Sequence, residues 1–170
     1  MDLNTARRKF AKGSRSWLLE ERPGFLARRL HQIHVALFTE LCAEFEITPV
    51  QYSVLSALLL YGSADQTTIA RRVALDRVTT TGVLDRLLKR GLIARVVSLE
   101  DRRARLCKVT ARGMGTLLKM EPAARLACGK TISGLSETDQ RALVRLMKKL
   151  VNAHENAATD ASRNALRRIK

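Results

Sequence analysis

Two groups of residues in this sequence are typed and spaced for chemistry. The first is Arg77 with the run Thr79, Thr80 and Thr81, followed by Arg86 and then by Asp101, Arg102, Arg103 and Arg105. Threonine hydroxyls and methyls, and forked guanidinium groups, are side chains that meet the base edges and phosphates of duplex DNA. Asp101 runs against simple phosphate attraction, and makes sense as an ion-pair partner that holds Arg103 in one pose. The second group centres on His34, set among Leu30, Leu37 and Leu41, with His31 at the edge of the same apolar stripe. A histidine on such a face is either satisfied within the core or kept for a ligand, because a buried imidazole without a partner costs desolvation. Nothing points to catalysis. There is no Ser-His-Asp arrangement, no phosphate-cradling glycine loop and no pair of carboxylates in an apolar setting, so the chain is not expected to be an enzyme.

Composition narrows the partners. The 170 residues carry 31 Lys+Arg against 16 Asp+Glu, a formal charge of +15, which calls for a polyanion such as nucleic acid. Apolar residues make up 46% and aromatics 4%, with three Pro and nine Gly, a palette suited to helices. The longest nearly unbroken apolar run, Val54 to Tyr61, falls far short of the roughly 20 residues of a membrane span. The start of the chain has charges but no apolar signal segment, so a cytoplasmic protein with no membrane partner is expected. Cys42, Cys107 and Cys128 form no CxxC pair and have no histidine at metal-ligand spacing. That leaves no metal and no cofactor to expect, and reduced, mostly buried thiols.

The elements that must position these residues follow from periodicity. Residues 1–22 read as a basic arm, disordered at its start, with the Trp17 segment packing on something. Leu26, Leu30, Ile33, Leu37, Leu41 and Phe45 recur at three- and four-residue steps, which predicts a helix over about 25–46. Thr48, Pro49 and Gln51 supply a cap, a first-turn proline and a capping box for a helix ending before Gly62. Asp65 caps a short helix, 66–73, and after a tight turn Asp76 caps another, 77–90, closed by Gly91. In this last helix Val78, Val83, Leu84, Leu87 and Leu88 are expected to face the core.

Residues 92–97 and 105–109 then read as strands joined by a charged loop. Thr110 caps a helix to about 131 that Pro122 bends or splits. A final helix starts at Ser136 and carries the stripe Leu143, Leu146, Met147 and Leu150, and 156–170 is a basic tail expected to fray. Two short helices across a tight turn, followed by a hairpin, make a winged helix-turn-helix. The fold class is therefore mainly α with a small β-hairpin. The winged domain spans 48–110, and helices for dimerisation occupy 23–47 and 111–155.

These stretches resemble the MarR (multiple antibiotic resistance regulator) family. The likeness rests on Ile47-Thr48-Pro49-Val50-Gln51-Tyr52, Gln66-Thr67-Thr68-Ile69-Ala70, Thr80-Thr81-Gly82-Val83-Leu84-Asp85-Arg86-Leu87, Arg90-Gly91-Leu92-Ile93, Asp101-Arg102-Arg103 and Val109-Thr110-Ala111-Arg112-Gly113. At the wing Ser98-Leu99-Glu100 departs from the family's usual Asp-Pro-x, while Asp101 and Arg103 match. The resemblance implies a homodimer on a palindromic DNA operator, with half-sites about 10 bp apart. It also implies a repressor released by a small, often aromatic and anionic effector. Arg28, Arg29, His31, His34, Phe38 and Tyr52 fall near where this family binds such ligands. The string from Arg22 to Ile33 is similar to members that control aromatic-acid catabolism, which respond to aromatic acids or their CoA thioesters. A thiol-based redox sensor on the same fold, or an architectural DNA-binding protein, stand as alternatives.

Overall fold

Helix starts in this chain are set by short polar side chains that capture the free amides of a first turn. The computed structural model describes residues 2–14, 18–98 and 105–167. It begins with α1, Leu3–Ser14, where Asp2 Oδ1 accepts from the amides of Asn4 (2.8 Å) and Thr5 (2.9 Å). The start of the basic arm is therefore an ordered helix and not an irregular segment. The cap at Asp2 and the lack of Gly or Pro before Gly13 outweigh its poverty in apolar residues. Trp17 lies outside the described residues.

After Pro23, α2 runs Pro23–Leu41 and gives way to a 3-10 turn, Ala43–Phe45. It ends short of the expected residue 46 because the chain reverses through Glu46, in the left-handed region at φ 49°. At α3, Pro49–Tyr61, the capping box is complete: Gln51 N donates to Thr48 Oγ1 (3.2 Å) and Thr48 N donates to Gln51 Oε1 (3.0 Å). Asp65 caps α4, Gln66–Arg72, at Thr68 N (2.8 Å), and Asp76 caps α5, Arg77–Lys89, at Thr79 N (2.8 Å). The hairpin pairs β1, Ile93–Val97, with β2, Arg105–Val109, in antiparallel register from Ile93↔Val109 to Val97↔Arg105. Ala64 adds a short third rung, exchanging backbone hydrogen bonds of 3.1 and 2.8 Å with Cys107.

Thr110 caps α6, Ala111–Ile132, accepting from Gly113 N at 3.0 Å. This helix runs unbroken through Pro122 and is not split there. Ser136 starts α7, Glu137–Arg167, with Asp139 N donating to its hydroxyl at 3.2 Å. The expected frayed tail is thus helical as far as Arg167, since residues 156–167 contain neither Gly nor Pro and are rich in Ala. The chain divides into two units, residues 1–131 and 132–170.

The core of the first unit joins Phe38 of α2 and Cys42 just past it to Val54, Leu55 and Leu58 of α3, Ile69 of α4, Val83, Leu84 and Leu87 of α5, and Leu117, Met120, Ala124 and Ala127 of α6. Two polar devices lock this core. Arg90, just past α5, donates through Nη2 to Phe45 O (2.9 Å) and through Nη1 to Glu46 O, fastening the α2–α3 corner. Gly113 brings the first turn of α6 against the strand entry, where a Cβ would stand 2.0 Å from Leu92 O. Only glycine fits there.

Candidate DNA-reading surface and histidine–aromatic cluster

The helical phase of α5 decides which of its residues face outward. Thr80, Val83, Leu84 and Leu87 are buried on one side, and Val78, Gly82 and Arg86 follow one another at four-residue steps on another. Thr80 has 0% exposure and its hydroxyl donates to Asp76 O at 2.7 Å. It is a packing residue and is withdrawn as a base contact. Val78, expected in the core, is 82% exposed. Three successive threonines span about 200° of helix, so they cannot all share a face, and Val78 takes the outward place that Thr80 vacates.

Thr79 and Thr81 remain exposed, but their hydroxyl protons are already committed. Thr79 Oγ1 donates to Asp76 Oδ2 (2.6 Å) and Thr81 Oγ1 donates to Arg77 O (2.9 Å) while accepting from Gln66 Nε2 (2.7 Å). Each can offer DNA a methyl group or a lone pair. The bonds from Thr79 hold the Asp76 carboxyl below its ordinary value, so the cap stays ionised. Arg77 is exposed and lines a groove of about 400 Å³ with Gln66, Thr67 and Ala70, residues of α4 that sequence reasoning did not nominate. Arg86 is exposed, as is Arg105 at the start of β2. Asp101, Arg102 and Arg103 lie outside the described residues. Arg95 on β1 reaches Asp85 on α5 at 3.4 Å, an exposed ion pair tying the hairpin to the helix.

The second site forms where α2, α3 and α6 meet. The ring centroids of His34 and Phe38 are 5.9 Å apart, and those of Phe38 and Tyr52 are 5.6 Å apart in an edge-on arrangement. His34 Nδ1 is 3.1 Å from Thr131 Oγ1, which itself donates to Ala127 O at 2.8 Å. Burial, and then the neighbouring His31, hold the His34 pKa below its ordinary 6.5. Burial likewise pushes the Tyr52 phenol up, opposed by a hydrogen bond with Ser56.

Of the nominated residues, His34, Phe38 and Tyr52 are brought together, and Thr131 joins them unforeseen. His31 and Arg28 are exposed, and Arg28 stacks over the Phe25 ring at 5.6 Å. Arg29 is removed from the group. It sits nine positions before Phe38, about two and a half turns, and so on the opposite face of α2, near Gln32 Oε1 at 3.4 Å. A groove of about 710 Å³ also runs along α7, but no aromatic ring lines it.

A three-helix head with an antiparallel wing, and a polar-ended helix presented beside that wing, define a winged helix-turn-helix DNA-binding protein. Residues 47–104 match the MarR family. The chain is 29% identical over 137 residues to the HTH-type transcriptional repressor NicR of Pseudomonas putida, covering 81% of this chain and 87% of NicR. Bordetella bronchiseptica BpsR, whose DNA binding is regulated by 6-hydroxynicotinic acid, superposes with a TM-score of 0.73 at 33% identity, over 77% of this chain and 94% of BpsR. The transcriptional repressor CouR, solved on a 23-mer DNA duplex, superposes with a TM-score of 0.70 at 28% identity, over 78% and 94%. The chain belongs to the MarR family and is a DNA-binding transcription regulator. No helix among the described residues is long and apolar enough to cross a membrane.

Proposed function

We propose that this protein is a cytoplasmic homodimeric repressor that leaves a palindromic operator when a small aromatic acid, or its CoA thioester, binds beside His34. The observation that carries the effector reading is the His34–Phe38–Tyr52 ring cluster joined to Thr131, because it combines an aromatic wall with a partly buried imidazole. Regulation of BpsR by an aromatic acid supports the same chemistry.

On the DNA side, Arg77 forks onto a guanine edge and the exposed Val78 meets thymine methyls. Gly82, with no side chain on the outward face, admits close approach of the duplex. Arg86 and Arg105 contact phosphates, and the wing arginines Arg102 and Arg103 enter the minor groove with Asp101 orienting Arg103. Dimerisation is supported by large apolar side chains left exposed on α2 (Leu26, Ile33) and α7 (Leu146, Met147, Leu150, Val151). A ligand moves the dimer off DNA only by binding the DNA-incompetent spacing of the two heads more tightly than the competent one.

A thiol sensor is disfavoured at two of the three cysteines. Cys42 and Cys107 are buried and burial raises both thiol pKa values, the opposite of what a reactive thiolate needs. Footprinting on DNA upstream of the protein's own gene tests the reading. One short inverted repeat should be protected, and 6-hydroxynicotinate or a hydroxybenzoate should abolish the protection. Broad coating without a repeat, or indifference to every such acid, would refute it.

A further inference from the structure

Hydrogen-bond bookkeeping at His34 specifies the kind of ligand atom that imidazole can receive. Thr131 has one hydroxyl proton and two neighbours, Ala127 O at 2.8 Å and His34 Nδ1 at 3.1 Å. A carbonyl oxygen only accepts, so the bond to Ala127 consumes that proton, as is usual for a threonine bonding back one turn in a helix. What Thr131 then offers His34 is a lone pair, which requires the hydrogen to sit on Nδ1. Burial and His31 disfavour the charged ring, so near pH 7 the other nitrogen, Nε2, carries a lone pair and no proton. Among the described residues no hydrogen bond is made at Nε2, although the ring is half-buried.

From this geometry we infer that His34 Nε2 acts as a hydrogen-bond acceptor and selects an aromatic effector bearing a ring donor, a phenolic hydroxyl or a ring N–H. The effector's carboxylate is left to the exposed flank of α2, where the Arg28 guanidinium lies one turn from His31. The inference rests on the reading that aromatic acids release this repressor. A carboxylate set against Nε2 would oppose two acceptors, whereas a hydroxyl supplies the missing proton while its ring packs on the half-buried Tyr52. An acid of the same size without a donor leaves Nε2 desolvated and unpaired, the condition under which polar discrimination is large.

Four probes of one scaffold separate the outcomes: 4-hydroxybenzoate and 4-aminobenzoate, which carry a donor, and benzoate and 4-methoxybenzoate, which do not. Binding is measured by calorimetry, and release by anisotropy of the bound operator. The donors are expected to bind about ten-fold or more tighter than the other two, a discrimination typical of one partly buried hydrogen bond. In His34→Phe, which keeps a ring but loses the acceptor, this preference should vanish. Long-range proton–nitrogen NMR on the unliganded wild type, which no folding defect can confound, should show a neutral His34 with hydrogen on Nδ1. Thr131→Val should remove that tautomer preference. Equal binding of all four acids, or hydrogen on Nε2 in the free protein, overturns the inference and leaves the effector reading standing. If none of the four acids binds or releases the operator, both are overturned.

Discussion

The segment from Thr48 to Val109 and the helix α7 are built from similar residues and end in opposite states. In the first, Val54, Leu55, Leu58, Ile69, Val83, Leu84, Leu87, Leu92 and Ile93 are all buried, each helix start is capped, and Arg90 fastens the corner behind. In the second, no residue from 137 to 155 is buried and Leu150 is 63% exposed. One is a finished fold within a single chain. The other is an apolar stripe that one chain leaves uncovered, and under the proposed function a second copy covers it. On that reading stability and assembly are encoded in separate parts of the molecule and can be damaged separately.

The largest effect is expected at Gly113. Gly113→Ala drives a methyl into Leu92 O and should cost about 3 kcal/mol or more, lowering the thermal midpoint regardless of protein concentration. A midpoint unchanged in this variant would show that the contact relaxes freely. On the other side of the comparison, Leu150→Asp places a charge in the uncovered stripe. It should shift sedimentation from dimer towards monomer while circular dichroism reports an intact head. A Leu150→Asp protein that stays dimeric at micromolar concentration would remove α7 from the interface.

Gly82→Ala sharpens the contrast within the head itself. A Cβ there meets nothing closer than Arg86 Nη2 at 3.8 Å, so the protein tolerates it, and alanine in a helix interior gains up to about 1 kcal/mol over glycine. The variant should be at least as stable as wild type and yet bind operator more weakly, since the added methyl projects from the face offered to DNA. Undiminished affinity would move the DNA contact away from this line of α5. The smallest effect concerns acid. Because His34 binds its proton less readily folded than unfolded, stability should decline as pH falls through about 6.5 towards its lower folded value. His34→Gln should flatten that part of the pH profile.

Much of the head was legible because its signals are local. Thr48, Pro49 and Gln51, or Asp65 and Asp76, act within one turn, and the structure places each as the residue types require. What failed was phase. Helix α5 begins where its cap predicts, but whether Val78 or Thr80 faces the core depends on which face of the helix packs on the head, and two positions turn a side chain by about 200°. Arg29 is turned away from Phe38 by the same helical phase. The helices at residues 3–14 and 156–167 leave little trace in apolar periodicity, because these segments are carried by propensity, with a cap at Asp2 in the first. Thr131 could not be linked to His34 at all. They are 97 positions apart, and only the packing of α2 against α6 brings them within 3.1 Å.

The central claim is that DNA reading and effector response sit on different residues of one chain, and a single titration tests it. Operator-bound wild type, Arg77→Ala and His34→Ala are followed by anisotropy with and without 4-hydroxybenzoate. Arg77→Ala should lose about 1–3 kcal/mol of operator affinity while what still binds is released by the acid, as in wild type. His34→Ala should bind operator almost normally and stay bound when the acid is added. If His34→Ala is released as readily as wild type, or if Arg77→Ala binds with undiminished affinity, the division of labour between the two sites is wrong.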